Sequence, residues 1–206
     1  MLKSTTKLLV TSAIASILLT GCNNYEQSLK VLPTELAQAN QCISQDKEFE
    51  ENCYDLISYK NTIAILRLGI KKYSEGKYKD AFTLYTLAQQ RGNFYANALL
   101  SELYLKGRGV VKNQEIGIDL LKDTKKVDPM AAYKLSFYYL NEKDYDEVIE
   151  LLTFAANNNV KNAQLELSKI YANGKIVKPD TQKSIFWLEK FENKTNSFMM
   201  KIYGIW

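Results

Sequence analysis

The chain has 206 residues, 46% of them hydrophobic, and its 27 basic and 23 acidic side chains give a formal net charge of +4. It contains no histidine, which excludes Ser-His-Asp and Cys-His catalytic arrangements and any metal site built on histidine. A charge this mild gives no reason to expect a nucleic-acid partner.

Residues 1–21 have the pattern of a secretory signal peptide. Met1–Lys7 carries two lysines and no acidic residue, and Leu8–Leu19 is a run of apolar or small side chains. A basic start, a short apolar core and small residues before a cleavage site are typical of such peptides. The run is well short of the ~20 apolar residues that a membrane-spanning helix needs, so a retained span is the weaker interpretation.

The end of this segment, Leu19-Thr20-Gly21-Cys22, resembles the lipobox of bacterial lipoproteins. The resemblance implies cleavage before Cys22 and lipidation of that cysteine. The alternative is an ordinary signal peptide followed by a chance cysteine. Asn23 stands where an aspartate would favour retention in the inner membrane, so the resemblance implies an outer-membrane anchor facing the periplasm. Residues 22–33 are then expected to form a lipidated tether.

A small helical hairpin is predicted over residues 34–61. Pro33 and Thr34 are typical of a helix start, and the first helix is expected to end at Ile43. The second helix is expected over Asp46–Tyr59.

Two cysteines, Cys42 and Cys53, fall within this hairpin. If Cys22 is lipidated, they are the two thiols left in an oxidising compartment, which favours a disulfide between the two helices. Two free thiols, or a bond to another chain, are the alternatives. No metal and no cofactor are expected, because two cysteines without histidine make a poor ligand set.

Residues 62–195 repeat one pattern four times. Corresponding positions of the two clearest copies lie 67 residues apart, which leaves room for one degenerate copy between them. A period in the low thirties indicates stacked pairs of helices. The clearest positions are Ala96, Leu100, Tyr104, Gly107, Gly109, Val110 and Asn113, and then Ala163, Leu167, Tyr171, Gly174, Val177 and Asp180.

The spacing Ala-x3-Leu-Ser-x2-Tyr-x2-Gly-x-Gly-Val over residues 96–110 resembles the Sel1-like repeat, a relative of the tetratricopeptide repeat. The second and fourth copies carry the pattern well, the first resembles a tetratricopeptide unit, and the third lacks the glycine loop. The resemblance implies an all-α, right-handed solenoid of about four repeats that serves protein–protein contact. A disulfide-rich branch of the family is linked to β-lactam chemistry, but these four repeats contain no cysteine.

In tetratricopeptide-like stacks the first helix of each pair lines the concave face, and aromatic residues there tend to carry binding energy. The alternatives are that several of the projected side chains are buried between helices, or are merely exposed tyrosines. The side chains projected toward a protein partner are Ile70, Tyr73, Tyr95, Glu102, Tyr133, Phe137 and Lys169.

The last segment, residues 196–206, is strongly apolar and is expected to cover the final hydrophobic face of the solenoid. The alternative is a peptide that docks on a partner or on the membrane surface.

These features predict a non-enzymatic lipoprotein that acts as a scaffold for an envelope assembly; they leave its oligomeric state open, with a monomer as the default. An immunity protein against a toxin from competing bacteria is the alternative, and binding to peptidoglycan or its enzymes is a minor third. The sequence does not separate them.

Overall fold

The computed structural model describes residues 25–193 and 197–205, and the predictions for the signal peptide and for Cys22 lie outside them. Within the described residues the chain forms ten α-helices and one π-helical turn, and no strand. The helices are α1 Tyr25–Asn40, α2 Lys47–Ile57, α3 Thr62–Ser74, α4 Tyr78–Gln90, α5 Ala96–Lys106, α6 Gln114–Thr124, α7 Pro129–Glu142, α8 Tyr145–Asn157, α9 Lys161–Asn173 and α10 Thr181–Glu192. The π-helical turn, Met199–Tyr203, is called the C-terminal turn.

Helices α3 to α10 form four hairpins that stack in chain order. Within each hairpin the two helices pack together, and the second helix of one hairpin packs on the first helix of the next. Alanines at these contacts are fully buried, which lets neighbouring helices approach closely; examples are Ala81, Ala96, Ala131 and Ala163. The prediction of an all-helical solenoid preceded by a disulfide-linked helical region is confirmed.

One backbone hydrogen bond closes the loop within the second, third and fourth hairpins. The carbonyl of the repeat tyrosine accepts from the residue that caps the second helix: Tyr104 from Asn113, Tyr139 from Asp144, and Tyr171 from Asp180, at 2.9 to 3.0 Å. This bond explains why a tyrosine and a capping Asn or Asp recur together in the repeat.

The third hairpin ends its first helix without the expected glycine. Gly107 and Gly174 end α5 and α9 with φ of 65°, and Lys143 takes the same left-handed place after α7 with φ of 61°. Left-handed backbone is unfavourable for a residue with a Cβ. Loss of the glycine is therefore tolerated at this turn at some cost in stability, and the hairpin is kept.

Helix α1 begins at Tyr25, which differs from the predicted start at Thr34. Residues 25–33 are therefore helical, and they are not a tether. The Tyr25 ring packs edge-on against Phe94 at 5.5 Å, and the Ser28 hydroxyl donates to the Gly92 carbonyl at 2.7 Å. These tertiary contacts hold the first turns of α1 although Pro33, inside the helix, cannot donate a backbone hydrogen bond.

A disulfide joins Cys42, which follows α1, to Cys53 in α2. Helix α2 is also tied to α3 by Glu51, whose carboxylate contacts both Lys71 and Lys72 of α3, the latter at 2.9 Å. The disulfide that the sequence favoured is thus present, and the hairpin it links packs against the first repeat.

The sequence led us to expect that the last segment covers the final repeat. The C-terminal turn does not do so. It packs on α3 of the first repeat, where Ile202 and Tyr203 are buried, as is Phe198 directly before the turn. The outer side of α10 keeps three large apolar side chains in solvent. They are Ile185, Phe186 and Leu188, which are 51%, 48% and 39% exposed. The segment is apolar because it is buried against a distant repeat.

Candidate partner-binding face

The first helices of the four hairpins, α3, α5, α7 and α9, contribute side chains to one surface, here called the first-helix face. The Tyr73 hydroxyl of α3 donates to the Glu102 carboxylate of α5 at 2.7 Å. The Lys134 ammonium of α7 donates to the same carboxylate at 2.6 Å. Three successive repeats are therefore joined through Glu102.

Glu102 is held as a carboxylate in a largely buried position. Burial alone would raise its pKa, but the charge of Lys134 and hydrogen bonds from Lys106, Lys134 and Tyr73 outweigh that effect and lower the pKa to about 2. Lys106 lies 2.8 Å from the carboxylate, one helical turn away on α5. The centre of the face thus carries a fixed negative charge surrounded by cations.

Arg108 extends this cluster, and the sequence analysis missed it. Its guanidinium lies 5.6 Å from the centre of the Tyr73 ring and 5.1 Å from that of Tyr78, and it donates to the Tyr73 hydroxyl. The sequence analysis considered Gly107 and Gly109 only as positions of the repeat pattern. The turn closes tightly on the preceding repeat, because a Cβ on Gly109 would lie 2.4 Å from the Tyr78 backbone. That close approach places Arg108 over the two rings.

An aromatic pair lies on α7 beside the charged cluster. The rings of Tyr133 and Phe137 meet edge to face at 5.1 Å, and Phe137 is 40% exposed. Burial raises the pKa of Tyr133, and the nearby charge of Glu166 on α9 adds to that shift. Glu166 in turn pairs with Lys169 at 3.0 Å. The aromatic pair and the Glu166–Lys169 ion pair extend the face to the fourth repeat.

Tyr95 is covered by the chain's own C-terminal segment, residues 197–205, and Ile70 lies beside that segment. The Tyr95 ring packs against Phe198 at 5.8 Å, its carbonyl accepts from the Tyr203 hydroxyl at 3.4 Å, and burial raises its pKa to about 12. Ile70 lines a groove together with Tyr203. The segment therefore occupies the surface around Tyr95 where the sequence projected a protein partner.

The projected residues therefore form two sets. Tyr73, Glu102, Tyr133, Phe137 and Lys169 lie along the uncovered part of the first-helix face. Tyr95 lies under the C-terminal segment, and Ile70 lies beside it. Lys106, Arg108 and Lys134 were not projected. Lys134 directly follows Tyr133 in α7, and a search for cations beside the projected aromatic residues would have found it.

Asp128 is a buried carboxyl group at the start of α7. Its Oδ1 accepts from the Met130 N–H at 2.9 Å and caps the helix, while Oδ2 has no hydrogen-bond partner in the described part of the chain. Burial raises the pKa of Asp128 to about 7, against the opposing effects of the helix N–H groups and of Lys134. The group can therefore change charge near neutral pH.

Residues 25–193 and 197–205 hold no cluster of three or more His, Cys, Asp or Glu side chains suited to a metal ion. None of the helices they form is long and apolar enough to cross a membrane.

A family model described as Sel1 repeat matches three segments, residues 94–122, 129–160 and 161–194. These segments correspond to the second, third and fourth hairpins, so the degenerate third copy is recognised as well. The first hairpin lies outside the matched residues, although it has the same helix-turn-helix form.

Solved structures share the fold. A Sel1 repeat protein from Oxalobacter formigenes is 23% identical, with a TM-score of 0.64 over 82% of this chain and 76% of its own. A protective antigen of uropathogenic Escherichia coli that displays an SLR fold is 26% identical, with a TM-score of 0.58 over 81% of this chain. The chain spans only 39% of that antigen's length.

A comparison with curated proteins gives no significant match. The matched segments, the hairpin stack and the solved structures agree with one another: the chain contains three Sel1 repeats, formed by its second, third and fourth hairpins.

Proposed function

We propose that this protein is a lipid-anchored periplasmic scaffold that binds a protein partner across the uncovered part of its first-helix face. Sel1 repeat proteins generally mediate protein–protein interactions, and the fold is typically a non-enzymatic scaffold. The observation that carries the proposal is the exposed Phe137 ring, held by Tyr133 next to the charged cluster at Glu102.

The arrangement resembles the centre of a protein interface. Aromatic anchors surrounded by charged residues are a common source of binding energy, because the ring is desolvated while the charges select the partner. Phe137 supplies the ring. Lys106, Arg108 and Lys134 surround a single carboxylate at Glu102, so this part of the face has an excess of positive charge and favours an acidic partner surface.

The location is inferred from the N-terminal sequence. The basic start, the apolar run and the Leu-Thr-Gly-Cys segment support export and lipidation of Cys22, and the disulfide between Cys42 and Cys53 is compatible with an oxidising compartment. Asn23 supports sorting to the outer membrane.

The test is periplasmic crosslinking of the tagged protein, followed by mass spectrometry of what it captures. We expect several components of one envelope assembly. Recovery of one secreted toxin at near-equal amount would instead identify an immunity protein. Mass spectrometry of the mature N-terminus tests lipidation directly, because an unmodified Cys22 would contradict the anchor.

The same capture experiment locates the face. Replacing Tyr133 and Phe137 together by alanine should abolish capture while the helical circular dichroism signal is retained. Phe137→Ser alone, at an exposed position, should weaken capture without a change in stability. Tyr145→Ala is the matched control, since Tyr145 is 39% exposed but lies at the start of α8. Capture that survives the double substitution would contradict the assignment of this face.

A further inference from the structure

The distance between the proposed lipid and the folded protein is short. Helix α1 begins at Tyr25, three positions after Cys22, and an extended chain covers at most ~3.6 Å per residue, or about 11 Å in all. The first turns of α1 are fixed to the fold by the contact of Tyr25 with Phe94 and of Ser28 with Gly92. An anchor at Cys22 therefore brings one particular edge of the solenoid to the bilayer.

Three chain segments meet at this edge, here called the N-terminal edge: residues 25–31 of α1, the α2–α3 turn at 58–61, and the α4–α5 turn at 91–95. The Ser28 hydroxyl joins α1 to the α4–α5 turn through the Gly92 carbonyl. Arg91 joins the two turns, because its Nη1 donates to the carbonyls of Ser58 and Tyr59 at 3.2 Å. Between α1 and the α4–α5 turn lies a groove of about 370 Å³ lined by Val31 and Arg91.

The N-terminal edge exposes the side-chain types that favour the lipid headgroup region. Leu29, Val31 and Tyr59 are 51%, 45% and 68% exposed. The Lys60 ammonium lies 5.3 Å from the centre of the Tyr59 ring, and Lys30 is exposed on α1 between the two aliphatic residues. Tyrosine concentrates at membrane–water interfaces, and basic residues near the surface are attracted to anionic lipids.

We propose that the N-terminal edge is a membrane-contacting surface that lies on the headgroups of a bilayer containing anionic phospholipid. This inference rests on the anchor in the proposed function, and it adds an orientation. The solenoid contacts the membrane directly, with at most three residues between the lipid and α1. The turns within the hairpins, such as the α5–α6 turn that contains Val111, lie on the opposite edge and face away from the bilayer. The first-helix face then lies between the N-terminal edge and the opposite edge, where a partner can approach it from the periplasm.

The test uses the whole mature chain from Cys22 coupled to vesicles. Cys42 and Cys53 are bonded to each other, so Cys22 supplies the thiol for coupling to a maleimide-bearing phosphatidylethanolamine in phosphatidylethanolamine–phosphatidylglycerol vesicles. Hydroxyl-radical footprinting with mass spectrometry then compares coupled with free protein. We expect loss of labelling at Leu29, Val31 and Tyr59. Val111, which is 85% exposed, and Tyr145 should be labelled equally in both forms.

A charge-reversal pair tests the role of the cations. Lys30→Glu with Lys60→Glu should restore labelling at Tyr59, whereas Lys112→Glu with Lys175→Glu, at exposed positions in first-to-second-helix turns, should leave its protection unchanged. Unprotected Leu29, Val31 and Tyr59 in the coupled wild-type protein would overturn the proposal. Equal restoration by both double variants would also contradict it.

The outcome is independent of whether cells lipidate the protein, because the coupling is chemical. An unmodified Cys22 in cells would refute the proposed anchor without altering the footprint. A footprint without protection would refute the N-terminal edge and leave the anchor and the partner-binding face standing.

Discussion

The Arg67 side chain donates through Nε to the backbone carbonyl of Ile202, 3.3 Å away and 135 positions later in the chain. Arg67 is buried, and its terminal nitrogens also donate to the Lys201 carbonyl, the Asn40 side chain and the Tyr54 hydroxyl. One arginine of the first repeat therefore holds α1, α2 and the C-terminal turn together.

Arg67→Leu should lower the stability of the whole chain. The substitution leaves several buried acceptors without a donor, for a loss of about 3 kcal/mol in the free energy of unfolding. Urea denaturation followed by circular dichroism measures the loss, with Lys79→Leu at an exposed position of α4 as the control. Equal midpoints for the two variants would show that Arg67 does not hold these segments together.

Phe198→Ala should destabilise the beginning of the solenoid more than its end. The buried Phe198 ring contacts both Tyr95 and Tyr203, and removing such a ring costs about 3 kcal/mol. Amide hydrogen exchange should therefore accelerate in α3 and at the start of α5. Faster exchange confined to α10 would restore the original interpretation of the segment as a cap on the last repeat. Ile205→Ala, at a 40% exposed position, is the control.

Glu102→Gln should remove part of the acid sensitivity of the protein. Because the folded-state pKa is depressed to about 2, Glu102 stabilises the fold above its unfolded pKa of about 4.3, and this contribution is lost as the pH falls toward 2. The wild type should thus lose stability relative to Glu102→Gln between pH 4.3 and 2, by about 2 kcal/mol once partial exposure is allowed for. Denaturation at a series of pH values checks this difference, with Glu150→Gln, on the exposed side of α8, as the matched control.

Asp128→Asn should change the pH dependence of stability in the opposite direction to Glu102→Gln. The folded-state pKa of Asp128 is raised to about 7, so the stability associated with its protonated form is complete below the unfolded pKa of about 3.9 and is lost as the pH rises through 7. Asparagine caps a helix about as well as aspartate. Asp128→Asn should therefore exceed the wild type in stability at pH 8, with a smaller difference at pH 5. A variant that is less stable than the wild type at pH 8 would contradict a buried, unpaired carboxylate.

Local patterns in the sequence were sufficient to predict the hairpins and their stacking. The tyrosine and the capping Asn or Asp recur because one backbone hydrogen bond joins them, as between Tyr104 and Asn113. Even the third copy, without its glycine, follows the same path, because Lys143 adopts the left-handed conformation. Helical spacing also placed Tyr73 and Glu102 on one face, where they meet.

Long-range contacts could not be predicted in this way. The apolar character of the last segment shows that it is buried, but no periodicity in it specifies α3 as the burying surface. The residues next to Arg67 in sequence do not indicate that it is buried, because its burial depends on acceptors far away in the chain. The start of α1 was missed because Pro33 is a common helix-initiating residue, whereas here tertiary contacts with Phe94 and Gly92 extend the helix before it.

The return of the C-terminal segment to the first repeat has a consequence for how this protein can evolve. Most solenoids gain or lose units freely, because each unit contacts only its neighbours. Here the segment follows the fourth repeat. Its Phe198 N–H donates to the Asn159 carbonyl in the turn between α8 and α9, and its Ile202 carbonyl accepts from Arg67 in the first repeat. Inserting another unit between these two points would move them apart and break the connection. The contacts of the C-terminal segment are thus compatible only with the present number of repeats.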